Sequence, residues 1–311
     1  MEWAGWWDRT VARWRTEGLP AALSSAREIR DYFGLDPHEQ VGIRPRGPTC
    51  PSPPGHGMPL VHDRAGYLEL KRHLYPASPF DAEHLAALAA EQRRGDAAVW
   101  ITLEGFFWFP RTLLGIEGHL TAFYDCPELL KEMCEDLLEF GLRAVDQVCE
   151  ILVPDWMTFA EDMSYNHGPM LSPGQYDEFL APYYRRLVPA LAGRGIVPIV
   201  DTDGDVTVPI RWYTETGIEG FLPLERMAGV DIVRIRAAHP RLKMIGAFDK
   251  TVMHLGEARI RAEMERLYPV MVQGGYIPAC DHQTPPEVSL GDYRRYVRLL
   301  REYCERAAVG Y

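Results

Sequence analysis

IVPIVDTDG, residues 196–204, runs five apolar positions straight into two aspartates and a glycine. The same grammar recurs in AVWITLE (98–104), WMTFAED (156–162), GFLPLE (220–225), LKMIGAFD (242–249) and YIPACDH (276–282). A short, continuous apolar run is the pattern of a parallel strand covered on both faces. Between the runs lie helix-patterned stretches at 82–93, 127–151, 173–194, 208–216, 232–238, 257–269 and 289–306. Six β-then-α units in succession predict an α/β protein with a parallel sheet, which a doubly wound fold and a barrel would both satisfy. The strand ends favour the barrel. Nearly every run closes on a titratable residue: Glu104, Glu161 and Asp162, Asp201 and Asp203, Glu225, Asp249, Asp281 and His282. Barrels build their chemistry from many strand ends, whereas a doubly wound sheet gathers it at one switch point. The expectation is a (β/α)8 TIM barrel over residues 81–311, with the two strands still missing sought at 41–43 and 59–63.

Residues 1–80 are aromatic and proline-rich and form an irregular N-terminal extension, with short helical stretches at 10–16 and 23–32. This arm is expected to pack on the barrel within one structural domain. Its segment 45–59 holds six prolines and reads as a loop.

The 311 residues are 47% hydrophobic and 25% charged, the composition of an ordinary globular chain. Acidic residues (44) outnumber basic ones (33) for a net charge of -11, which argues against nucleic acid and anionic membranes as partners. With no signal-like N-terminus and six cysteines lacking any C-x-x-C pair, the sequence predicts a cytoplasmic protein with reduced thiols. Nothing in it excludes a homodimer.

Asp201 and Asp203 sit two apart before Gly204, so both could face the barrel mouth, binding a cation or raising one another's pKa; the alternative is a helix cap and a solvated turn. Cys280 and His282 could share a metal, or His282 could donate a proton. Glu161 reads as a ligand or base, with Asp162 holding the loop. Tyr165 and Asn166 just beyond could orient substrate. Glu104 precedes GFFWFPR, whose Phe107 and Trp108 could wall an apolar pocket or equally form core. Glu225, Arg234, Arg236, Asp249 and Lys250 read as rim ion pairs, with Glu225 a candidate for substrate contact. The largest pocket should be bounded by Glu104, Glu161, Asp201, Asp203 and His282.

Three stretches together resemble the uroporphyrinogen decarboxylase superfamily: WWDRTVARWRTEGLP (6–20), FAEDMSYNHGPMLSPGQYDEFLAPYYRRL (159–187) and GGYIPACDHQTPPEVSLGDYRRYVRLL (274–300). That resemblance implies a (β/α)8 barrel and one of two chemistries. The decarboxylases carry an R-Q-A-G-R segment with no evident counterpart here, and Leu114 stands at their T-Y-M-V-E-G tyrosine; His282 is the nearest match to their strand-end histidine. The other chemistry is methyl transfer involving corrinoid proteins, with zinc held by H-x-C-G and a later cysteine. Here Asp201-Thr202-Asp203-Gly204 and Cys280 take those places. The resemblance thus implies a divalent metal, zinc first and Mn or Mg as alternatives, on Glu161, Asp203, Cys280 and His282. Asp201, Asp203, His282 and Glu161 are the expected catalytic residues, and Glu104, Phe107, Trp108, Tyr165, Asn166 and Glu225 the expected substrate contacts. The expected function is a metal-assisted methyltransferase moving a methyl group between a small methylated substrate and a corrinoid protein. A decarboxylase acting on a carboxylated tetrapyrrole, and a non-catalytic barrel binding a corrinoid or tetrapyrrole, are the alternatives.

Overall fold

The computed structural model describes residues 2–308. One sheet carries seven parallel strands: β1 (His38–Ile43), β2 (Ala98–Glu104), β3 (Trp156–Ala160), β4 (Val197–Asp201), β5 (Gly220–Leu222), β6 (Lys243–Phe248) and β7 (Tyr276–Cys280). Spatial order follows chain order, and each crossover carries at least one helix. The six acid-terminated runs are therefore all strands, aligned so that their acidic ends share one edge.

The sheet curls around its own interior. Trp100, Trp156, Ile199, Leu222 and Ile245, from five consecutive strands, form a separate apolar cluster. Within it the indoles of Trp100 and Trp156 stack at 4.9 Å, and the His38 ring stacks on Trp100 at 5.4 Å. One layer nearer the acidic edge the interior turns polar: Gln40 Nε2 donates to Thr102 Oγ1 (2.7 Å), which is 2.6 Å from Thr158 Oγ1. Outside, helices such as Pro127–Cys149 and Leu290–Ala308 bury the other face of the sheet in the main core.

The expected eighth strand is not there. Residues 59–63 are coil, because Pro59 offers no donor and the N–H groups of Leu60 and Val61 both turn to the Leu113 carbonyl (2.7 and 3.1 Å). No pairing joins β1 to β7 among the described residues, so the sheet is a seven-stranded half-barrel rather than a closed eight-stranded one. β1 belongs to that sheet although it lies inside the stretch 1–80.

The edge of β7 facing away from β6 is covered by the start of the chain. Glu2 accepts the Cys280 N–H (3.0 Å), Trp3 Nε1 donates to the Cys280 carbonyl (2.9 Å), and Thr284 N–H donates to the Gly5 carbonyl (3.1 Å). Helix Asp8–Thr16 then seats Trp14, fully buried, against Trp6, Phe33 and Tyr293, with its Nε1 donating to the Val288 carbonyl (2.9 Å). No described helix is long and apolar enough to cross a membrane.

Trp14→Ala removes the largest side chain of this seam and leaves the Val288 carbonyl unpaired. It should cost about 3–5 kcal/mol, read as a lower midpoint in urea with the slope unchanged; a loss below about 1 kcal/mol would show that the arm docks independently of it.

Candidate active site

Three strand ends are clasped by one buried carboxylate. Asp281, fully buried just past β7, accepts the backbone N–H of Arg226 (3.0 Å) and of Lys250 (3.3 Å), the first residues of the short turns Arg226–Ala228 and Lys250–Leu255. Lys250 Nζ lies 3.3 Å from the same carboxylate and 3.7 Å from Glu225. Burial pushes the Asp281 pKa up to about 6, against the pull of Lys250 and the two N–H groups. Glu225 in turn accepts the Gly204 N–H (3.0 Å), which extends the network to the turn after β4.

That turn needs its glycine. At φ +82, a Cβ on Gly204 would meet the Tyr165 Cα at 2.7 Å. The close approach binds the turn to the ribbon Ser164–Tyr165/Gly168–Pro169, where Asp205 N–H donates to the Tyr165 carbonyl (2.9 Å). Tyr165 (49% exposed) and Asn166 stand at its tip beside the acidic end of the sheet. Positive φ values at Asp162 (+43) and Leu224 (+62) put two further strained residues at the same end.

Asp203 and His282 are brought together. Oδ2 lies 3.8 Å from Nε2, with side chains 43% and 32% accessible. Partial burial, reinforced by the charges of Glu225 and Asp162, pushes the Asp203 pKa up to about 7. Burial and the Lys250 charge push His282 down, so it is neutral at pH 7. Asp201, on the inner face of β4, is driven well up by burial and by the charges of Asp203 and Asp162, and has no hydrogen-bond donor among the described residues.

Glu161 is elsewhere. It is fully buried, and its carboxylate accepts the N–H groups of Phe106 (3.2 Å), Phe107 (2.8 Å) and Trp108 (3.2 Å) at the start of helix Trp108–Asp125, together with the Tyr184 hydroxyl. Gly105 is pressed against it so closely that a Cβ there would overlap the carboxylate. Burial pushes its pKa up to about 7. The expected ligand or base is thus a sealed anchor for the loop after β2, because a helix start supplies unpaired N–H groups that a carboxylate satisfies.

Cys280 is also sealed, with Sγ near Thr284 under the N-terminal segment. The four expected ligands, Glu161, Asp203, Cys280 and His282, therefore do not converge, and no group of three His, Cys, Asp or Glu able to hold a metal occurs among the described residues. This arrangement does not fit the expected zinc site.

Phe107 is core, packed on His119 and Phe123, as are Phe106 and Phe109; Trp108 alone of the four is partly exposed, under the Arg111 guanidinium. Glu104 is paired with Arg46 (2.6 Å). Hollows of about 680 and 410 Å³ open elsewhere, one beside the start of β6 and the other between helices Ala26–Phe33 and Leu290–Ala308. Two residues escaped the sequence reading in their roles. Asp281 was marked only as one of the titratable strand-end residues. Arg46, from the proline-rich loop after β1, carried no periodic signal at all.

The profile of uroporphyrinogen decarboxylase (URO-D) matches residues 88–303. No curated protein sequence matches. Among solved structures, a B12-independent methionine synthase from Shewanella sp. W3-18-1 in complex with selenomethionine is 11% identical, with 75% of this chain and 69% of that one covered and a TM-score of 0.47. A xylose isomerase-like TIM barrel protein from Mycobacterium smegmatis in complex with magnesium is 13% identical, covering 90% and 87% at a TM-score of 0.42. A GH113 β-1,4-mannanase is 8% identical, covering 98% and 99% at 0.44. Likenesses of that depth say nothing of activity. The profile match spans well over half of the sequence and includes β2 to β7 with every strand-end acid: this chain belongs to the uroporphyrinogen decarboxylase family.

Proposed function

We propose that this chain is an enzyme whose chemistry turns on delivering one proton at the acidic edge of the sheet, with Asp203 as donor and His282 as its exchange partner. The observation that carries the reading is the pair itself: a partly accessible carboxyl with a pKa of about 7 lies 3.8 Å from a histidine that burial keeps neutral. A general acid works best with a pKa near the working pH. Both family chemistries need such a donor, since loss of CO2 leaves a carbanion to protonate and loss of a methyl group leaves a heteroatom to protonate.

The narrower reading is methyl transfer from a small methylated substrate to a corrinoid protein. Its support is the local charge. Asp162, Asp203, Glu225 and Asp281 outnumber the cations near them, Lys250, already held between two of the acids, and Arg111, which donates to the Asp162 carbonyl (3.3 Å), while Arg46 is committed to Glu104. Such an edge repels a polycarboxylated tetrapyrrole and accepts a small neutral or cationic molecule. The carbon–heteroatom bond breaks as the methyl group leaves, and the heteroatom takes the proton from Asp203; Asp201 and Tyr165 flank the approach. No step is assigned to a metal.

Three outcomes test this. With methylated ethers, thioethers and amines as donors and reduced cobalamin as acceptor, kcat/KM should fall as pH rises through about 7, because the donor must be protonated. Asp203→Asn should lower the rate by about 100-fold or more and abolish that limb; an unchanged limb overturns the assignment. Uroporphyrinogen III should give no coproporphyrinogen by porphyrin fluorescence, and formation at a catalytic rate overturns the narrower reading.

The buried Glu161 carboxyl predicts a stability profile that is independent of this reading. A carboxyl whose folded pKa is raised, as Glu161's is from 4.5 to about 7, adds stability that is full below 4.5 and is lost as pH rises through about 7. The melting temperature should therefore drop between about pH 4.5 and pH 7, and Glu161→Gln should reduce that drop, which Glu2, Asp203 and Asp281 share; an equal drop in the variant contradicts it.

A further inference from the structure

Away from the acidic edge, a hollow of about 410 Å³ lies between the end of helix Ala26–Phe33 and helix Leu290–Ala308, lined by Tyr32, Phe33, Arg294, Val297, Arg298 and Arg301. The three arginines follow one stripe of the long helix, with Arg294 and Arg301 about 10 Å apart along the axis. Arg298 is neutralised by Glu257 (2.6 Å). Arg294 and Arg301 pair with no carboxylate among the described residues, although most arginines of this acidic chain do. Each is instead braced by one neutral acceptor. Arg294 donates to the Tyr32 hydroxyl and lies over the Tyr32 ring (5.8 Å), and Arg301 donates to the Gly34 carbonyl (2.9 Å). Gly34 ends its helix at φ +63, and a Cβ there would come within 3.0 Å of the Arg301 guanidinium.

A guanidinium has five N–H donors, and here each of the two spends one on its brace. The others face a recess whose walls are the Tyr32 ring, Phe33 and Val297. Of the acids near it, Glu302 is held by Arg261 (2.8 Å) and Asp36 feels the charge of the Arg301 guanidinium, which leaves Glu305 on the rim beside two cations. We propose that this hollow is a binding site for a small organic anion, a phosphate or carboxylate carried on a flat apolar body: the guanidiniums take the anion and the Tyr32–Val297 wall takes the body. The site is separate from the Asp203–His282 pair and does not depend on its role.

Phenyl phosphate is the probe, with inorganic phosphate as its control, titrated calorimetrically into the full chain. Phenyl phosphate should bind saturably, one per chain, and more tightly than inorganic phosphate. Arg294→Gln and Arg301→Gln should each weaken binding by about tenfold. Circular dichroism should show an unchanged fold for both arginine variants, whose side chains are exposed, and Asp203→Asn should leave binding unaltered. Absence of saturable binding, indifference to both arginine substitutions, or equal affinity for inorganic phosphate would each overturn the proposal.

Discussion

The buried carboxylate of Asp281 is the constraint on which the acidic edge of this molecule depends. A carboxylate with no exposure is tolerable only if its oxygens are met by donors, and Asp281 finds them in two N–H groups and one ammonium from the ends of two other strands. Meeting that need fixes the ends of β5, β6 and β7 against each other. Through Lys250 and Glu225 it also fixes the turn that carries Asp203. The Asp203 carboxyl is thus positioned by a chain of contacts that begins with a group it does not touch. Removing Asp281 would release Lys250 as well as the two turns, so its loss would read as both structural and functional.

Two carboxylates that look alike in sequence have opposite fates here. Glu161 and Asp203 each follow an apolar run and each has its pKa pushed up to about 7. Glu161 is closed in by the turn at Gly105 and spends its oxygens on the start of a helix, while Asp203 sits beyond a Gly204 turn that leaves it open to a partner. A shifted pKa marks both equally. What distinguishes them is which is reachable and which already has donors, and that depends on residues more than fifty positions away.

The fold was legible because a parallel strand buried on both faces leaves a direct mark: the run IVPIVD predicts β4, and its five counterparts predict β2, β3, β5, β6 and β7. β1 was half visible, since Val41 and Ile43 are apolar and join the main core, but Gln40 and Gly42 face the interior of the curled sheet where it turns polar. Closure itself was not legible, because whether an eighth strand pairs is decided by where Leu60 and Val61 send their N–H groups. At the site, Asp203 and His282 could be chosen from strand-end position alone. Cys280 could not be excluded that way, because alternation alone puts it on the side of His282, and only the end of β7 at Cys280 and the cover of the N-terminal arm separate the two.

The coverage of β7 by residues 2–7 spans almost the whole chain: the bond from Trp3 to Cys280 joins positions 277 apart. During synthesis residues 2–7 leave the ribosome long before their partners, which follow some 277 positions later. Until then Trp3, Trp6 and Trp14 lack their seat against β7 and the last helix, and the nascent chain carries an exposed tryptophan-rich segment that chaperones can hold. A seam of such high sequence separation also makes this the slow step of refolding, as loop-closure entropy must be met before any of its contacts form.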